Sequence, residues 1–219
     1  MDGQDQEGAA AKVSAGWLEP ARGGTYDAAV ALLRAAFPET ALPEARTRAL
    51  LDAGRYRMAV ARAAVAGDAG QALAGVAVLA VFAEEGFCHL DYLATAEGQR
   101  RRGVATALWD LVRAQAPAGC TRLTLEVDES LVDFYRRRGA RRLEGVRYVF
   151  PATEPPMPME LMVAACGAGS GAAVPPVSMD GVAVRRIIAA LYQGLHGRDA
   201  ADALLAAVLA GVPPVVRLT

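Results

Sequence analysis

Leu93-Ala94-Thr95-Ala96-Glu97-Gly98-Gln99-Arg100-Arg101-Arg102-Gly103-Val104-Ala105-Thr106-Ala107-Leu108-Trp109-Asp110-Leu111 is the stretch that decides the fold. The apolar run from Cys88 to Thr95 reads as a strand, and it leads into a short polar turn with three successive arginines. Gly103 then opens a helix. Its apolar residues Val104, Leu108, Leu111 and Val112 recur at i, i+4, i+7 and i+8, which is one face of a 3.6-residue period. A strand that ends in a glycine-containing turn and starts a helix is an anion site by construction. The first helical N–H groups have no intrahelical partner, and the dipole there is partly positive. Gly103 lets a phosphate approach the backbone without a Cβ in the way, and arginines add fork-shaped cationic donors.

The kind of anion can be narrowed. G-x-x-x-x-G-K-[ST] does not occur, and neither does the dinucleotide fingerprint G-x-G-x-x-G. Arg100-Arg101-Arg102-Gly103-Val104-Ala105 instead resembles the Q/R-x-x-G-x-G/A signature of the GCN5-related N-acetyltransferases, which bind the pyrophosphate of acetyl-CoA. Leu93-Ala94-Thr95 looks like the bulged fourth strand of that family. Asp133-Phe134-Tyr135-Arg136-Arg137-Arg138-Gly139-Ala140 resembles its F/L-Y-x-x-x-G-F element, with Ala140 in place of the usual aromatic and Glu129 where relatives often carry Asn. The resemblance spans residues 14–166. It implies a mixed α/β acyl-CoA N-acyltransferase fold, with a mostly antiparallel sheet flanked by helices.

The rest of the chain fits that expectation. Trp17 to Pro20 reads as a first strand. Thr25 is placed to cap a helix from Tyr26 to Phe37, and a second helix runs from Pro43 to Ala53. In the resembled family these two helices and their loop wall the acceptor pocket. Tyr56 to Val65, Gln71 to Ala83 and Phe87 to Thr95 form an antiparallel meander joined by Ala66–Gly70 and Glu84–Gly86. The middle strand, apolar on both faces, is central. The helix after Gly103 runs to Gln115. Thr121 to Val127 is a strand, a short helix carries Leu131 to Arg138, and Arg142 to Phe150 and Met159 to Ala165 are final strands. Residues 1–13 read as a disordered tail, 14–166 as the acetyltransferase domain, 167–180 as a Gly/Ala/Pro-rich linker, and 181–219 as a C-terminal helical extension. The extension holds amphipathic helices at Val182–Leu195 and Asp199–Leu209, the second capped by Asp199 or Arg198. Pro213 to Leu218 offers a further strand. The extension is read as a cap docked on the domain, with a dimerisation arm or substrate lid as the functional alternative.

Composition bounds the partners. The chain has 219 residues, a net charge of −1 and 53% hydrophobic residues, so it does not advertise a polyanion partner. Three cysteines without a C-x-x-C pattern read as buried free thiols in a reducing compartment, and two histidines without ligand spacing argue against a metal. The N-terminus lacks the features of a secretory signal, and no run approaches the ~20 apolar residues of a membrane span. The expectation is a cytoplasmic protein, monomer or homodimer, with no nucleic-acid or membrane partner. Arg136 to Arg138, Arg141 and Arg142 read as a solvated face open to contact with CoA phosphates, not as a nucleic-acid patch, since no aromatics interleave.

The resemblance implies roles residue by residue. Acetyl-CoA is the co-substrate. Leu93, Ala94 and Thr95 offer backbone groups to pantetheine, and Arg100, Arg101, Arg102, Gly103, Val104, Ala105 and Thr106 cradle the pyrophosphate. Tyr135 protonates the leaving thiolate. Glu126 and Asp91, with His89 as a third option, are the candidates to accept the amine proton. His89 and Asp91 share a strand face, and Glu126 is the only charge facing one way in its strand. The acceptor is a small-molecule or peptide amine. The competing reading is a non-catalytic acyl-CoA-binding regulatory module, and behind it a nucleic-acid-binding module built on the arginine clusters.

Overall fold

Continuous apolar runs make the central strands, and the computed structural model describes residues 13–19, 23–64, 71–167 and 176–219. The strands are β1 (Ser14–Trp17), β2 (Tyr56–Ala64), β3 (Gln71–Phe82), β4 (Phe87–Thr95), β5 (Arg122–Val127), β6 (Arg141–Arg142), β7 (Tyr148–Phe150) and β8 (Met157–Ala165). They form one sheet in the order β1-β2-β3-β4-β5-β8-β6, with β7 also on β8. Every pairing is antiparallel except β4 with β5. A parallel pair needs a crossover, and α3 (Val104–Ala114) supplies it.

The sheet divides the core in two. On one face Val76, Val78 and Phe87 pack with α1 (Gly24–Ala36), beside which lies α2 (Glu44–Asp52). On the other face Ala77, Leu79 and Cys88 pack under α3 and α4 (Val132–Arg136). Val76 to Leu79 are fully buried on both sides, as expected for a central strand. Gly75 permits close packing there: a Cβ on it would lie 2.5 Å from Val104 Cγ1 and 2.8 Å from Ala94 O.

Several boundaries differ from the sequence reading. The first strand lies earlier, at Ser14–Trp17. Gly23, not Thr25, precedes α1 without a side-chain cap, because the Thr25 hydroxyl accepts from Arg62 instead (2.8 Å). Arg142 to Phe150 is not one strand: it splits into β6 and β7, with Gly145 at φ +79° in the turn between them. Ser178–Asp180, inside the stretch read as linker, is a strand, β9, paired with β10 (Val215–Arg217). The extension's first helix is α5 (Gly181–Ala190), continued by a π-helical turn at Leu191–Leu195. Its second, α6 (Ala203–Ala210), is capped by Asp202, whose Oδ1 accepts from Leu204 N and Leu205 N, and not by Asp199 or Arg198. The tail readings for 1–12, the turn at 66–70 and most of the linker lie outside the described residues.

The extension shares the core of the sheet. Ile188, Leu191, Tyr192 and Leu205 belong to the same buried cluster as Val76 and Val78. Arg142 N donates to Thr219 O (2.8 Å) and Thr219 N returns a bond to Arg142 O (3.1 Å), so the last residues are stitched to β6.

Candidate active site

The two parallel strands part where the sequence puts its carboxylates. Their pairing runs from Phe87–Arg122 to Leu90–Leu125 and stops, while β5 continues against β8 through Glu126 and Val127. The first residue past the last rung is Asp91 on one strand and Glu126 on the other. The bulge expected at Leu93–Thr95 sits at Asp91: Tyr92 pairs with Val78 and Leu90 with Leu79, leaving Asp91 as the extra residue. Leu93, Ala94 and Thr95 stay in register with Ala77, Val76 and Gly75. One residue two-against-one turns the strand locally, and Asp91 then reaches Tyr56, whose hydroxyl donates to Asp91 Oδ2.

Glu126 anchors a buried polar cluster on the same face. Its side chain is 6% exposed, as is that of His196, and His89 is 1% exposed. The Tyr148 hydroxyl donates to Glu126 Oε1. His196 Nε2 lies 3.4 Å from that oxygen and 3.4 Å from the Tyr148 hydroxyl, and His89 Nε2 lies 3.9 Å from it. Thr124 Oγ1 lies 2.9 Å from His89 Nδ1 and 3.3 Å from Cys88 O and holds the ring in place. The Nε2 of neutral His89 faces Glu126.

Environment pushes the two carboxyls apart. Burial raises Asp91 to about 7, opposed by the Tyr56 hydrogen bond and assisted by the charge of Glu126. Burial also pushes Glu126 up, but the His196 hydrogen bond, the charges of His89 and His196 and the Tyr148 hydrogen bond outweigh it and hold it below the usual range. Burial lowers His89 to about 4, so it is neutral at pH 7. A pair of carboxyls separated in this way assigns itself to different tasks.

The opposite face carries the anion-ready turn. Gly103 has φ +82° and Arg101 φ +63°, the left-handed region; Arg101 occupies the position where relatives often have glycine. Ala107 N is the first helical donor, to Gly103 O at 2.9 Å, so the N–H groups of Val104, Ala105 and Thr106 precede the ladder. Nothing stands within 4 Å of a Cβ built on Gly103. Arg100, Arg101, Arg102 and Gly103 are exposed, while Val104 is buried and ties the helix start to the core. Arg138 donates to Thr106 Oγ1 (2.8 Å) and Phe134 O (2.8 Å) and lies 3.7 Å over the Phe134 ring, which places one fixed guanidinium beside the turn. Arg142 is engaged with Glu160 (2.7 Å) and Glu129 (3.5 Å). Tyr135 packs 5.1 Å from Trp109 and 4.9 Å from Phe134, ring to ring. Its hydroxyl takes no hydrogen bond among the described residues, and burial, moderated by Arg138, raises it to about 12.

The structure thus groups Asp91, Glu126 and His89 on one face and Tyr135 with Arg100 to Thr106 on the other. Sequence reading missed Tyr56, Tyr148, Thr124 and His196. Its one usable signal was Glu126 itself: a lone charge on an inward strand face requires partners. Among the described residues no group of three or more His, Cys, Asp or Glu is arranged for a metal, and no helix is long and apolar enough to cross a membrane.

Parallel strands that separate beside a glycine-opened helix define the class of acyl-CoA N-acyltransferase folds. The family model "Acetyltransferase (GNAT) family" matches residues 26–140, and the chain belongs to that family of acetyl-CoA-dependent N-acetyltransferases. Among solved structures it is similar to the IAA acetyltransferase from Bacillus cereus, with 17% identity, 70% of this chain and 99% of that one covered and a TM-score of 0.51. A GNAT family acetyltransferase from Elizabethkingia anophelis with acetyl-CoA bound shares 16% identity over 69% of this chain and 96% of its own, TM-score 0.51. Arabidopsis thaliana NAA60 in complex with acetyl-CoA shares 17% identity over 70% and 98%, TM-score 0.50. At these identities the likeness is one of fold. No match was found among curated proteins.

Proposed function

We propose that the chain transfers an acetyl group from acetyl-CoA to a primary amine by direct attack in a ternary complex. Acetyl-CoA supplies a thioester whose carbonyl is the electrophile and whose sulfur is the leaving group. The free N–H groups of Val104, Ala105 and Thr106, the open approach over Gly103 and the fixed Arg138 guanidinium suit its phosphates. The unpaired edge of β4 from Asp91 to Thr95 offers backbone groups to the pantetheine amides and an N–H to polarise the carbonyl.

The observation that carries the reading is the placement of Asp91 and Glu126 as the first residues beyond the last β4–β5 rung. Glu126, ionised, attracts an ammonium into the opening. Asp91, near 7, takes the proton that the amine must lose before it attacks, because a general base works best with a pKa close to the working pH. Tyr135, protonated throughout the physiological range, returns a proton to the thiolate from the other face. Thiol release from acetyl-CoA, followed over a panel of small amines and peptides, tests this. Asp91→Asn and Glu126→Gln should each lower the rate at least tenfold with acetyl-CoA binding retained. A folded wild type that binds acetyl-CoA but releases no thiol with any amine would instead identify a non-catalytic acyl-CoA-binding module.

A further inference from the structure

The family match ends at residue 140, yet the partners of Glu126 lie beyond it. Tyr148 comes from β7, and His196 follows the π-helical turn of the extension. That turn is pinned from several sides. Arg46 of α2 donates to Leu195 O (3.1 Å), Tyr192 donates to Val149 O and Arg198 to Pro151 O. His196 N bonds back to Leu191 O (3.0 Å), and its ring stands edge-on to Phe150 at 5.0 Å. A histidine fixed by this many contacts, 6% exposed, with Nε2 3.4 Å from a buried carboxylate, is not a surface residue that happens to be near.

We propose that His196 is a positioning residue of the acyl-transfer site: its ring nitrogen and the Tyr148 hydroxyl hold the Glu126 carboxylate toward the opening between β4 and β5, so the C-terminal extension completes the site. The proposal rests on the reading of Glu126 given above. Geometry argues for it directly. Glu126 Oε1 receives Tyr148 and has His196 Nε2 at 3.4 Å, whereas His89 Nε2 stands beyond hydrogen-bond reach at 3.9 Å. Without His196 the carboxylate keeps a single protein donor in a dry site, where a charge lacking hydrogen bonds reverts toward its protonated form. The titratable groups that surround Glu126 are His89, Asp91 and Tyr92 from β4, Tyr148 from β7, and Tyr192 and His196 from the extension.

The test uses the full chain with carboxyl-13C glutamate, titrated by NMR. The signal absent in Glu126→Gln identifies Glu126. His196→Phe keeps a ring against Phe150 and removes the donor; His196→Gln keeps a donor nitrogen and removes the imidazole. The expected result is a Glu126 midpoint raised by about one pH unit in His196→Phe and returned to near the wild-type value in His196→Gln, with acetyl-CoA affinity by calorimetry unchanged in both. A midpoint that stays in place in a His196→Phe variant that binds acetyl-CoA normally overturns the proposal, whatever Glu126 does. A His196→Phe variant that is unfolded by circular dichroism leaves the decision to His196→Gln: its midpoint must match wild type, and a raised one overturns the proposal. If the midpoint moves as expected but Glu126→Gln releases thiol at the wild-type rate, the reading of Glu126 falls, and the catalytic part of this proposal falls with it.

Discussion

Asp91→Asn should make the folded chain more stable at pH 8 while slowing acetyl transfer. Burial holds the Asp91 carboxyl at about 7 against 3.8 in the unfolded chain. The folded state therefore favours the protonated acid. That contribution is complete below pH 3.8 and is lost as pH rises through 7. Between pH 5 and pH 8 the wild type loses about 2.5 kcal/mol relative to a side chain that cannot ionise. Asp91 is only partly buried, and solvent screening trims the figure to about 2 kcal/mol. Asparagine keeps an oxygen able to accept from Tyr56, so the local hydrogen bond survives. Urea unfolding of both proteins at the two pH values reads the difference directly. The stability advantage of the variant should be about 2 kcal/mol larger at pH 8 than at pH 5. An advantage that does not change with pH would refute the claim that Asp91 is a desolvated carboxyl titrating near neutrality, and with it the choice of Asp91 as base.

Gly103→Glu should abolish acetyl-CoA binding in calorimetry. No atom blocks the new Cβ, so the protein still folds, about 1 kcal/mol less stable for a side chain held at φ +82°; the loss of binding comes from a carboxylate placed at an anion site. Tyr135→Phe should reduce kcat at least tenfold with KM for acetyl-CoA and thermal midpoint nearly unchanged, since the ring keeps its packing on Trp109 and Phe134. Gly75→Ala should cost about 1–3 kcal/mol in denaturant unfolding, because its Cβ meets the Ala94 carbonyl and the Val104 side chain. The shift it forces on the α3 start should also weaken acetyl-CoA binding.

The fold was legible because its deciding features are local. Strand, turn, glycine and helix period all lie between Cys88 and Val112, and the unbroken apolar run of β3 marked it as central. What was not legible depends on contacts far apart in the chain. Asp91 as the bulged residue follows from the register of β4 on β3, and no residue in Leu90-Asp91-Tyr92 advertises a two-against-one step. The capping of α6 by Asp202 rather than Asp199 is a choice among nearby acidic residues made by how the extension docks. His196 is 70 positions from Glu126, and its sequence neighbours, Gly194-Leu195-His196-Gly197, carry no motif.

The cofactor side and the acceptor side of this site therefore answer to different kinds of evidence. A phosphate cradle made of backbone N–H groups needs only a turn geometry, and a six-residue signature records that geometry. A proton-handling centre needs side chains brought to within hydrogen-bond reach in a dry place, and any element that packs there can supply them. Here β4 supplies Asp91 and His89, β5 supplies Glu126 and Thr124, β2 supplies Tyr56, β7 supplies Tyr148 and the extension supplies His196. The two carboxyls lie one residue past the same rung and still differ in protonation, because Asp91 has a single hydroxyl donor whereas Glu126 has Tyr148 and faces two imidazoles. In the proposed mechanism that inequality, rather than the presence of acids at the gap, is what separates the amine-deprotonating group from the ammonium-attracting one. It depends in part on a segment outside the family match.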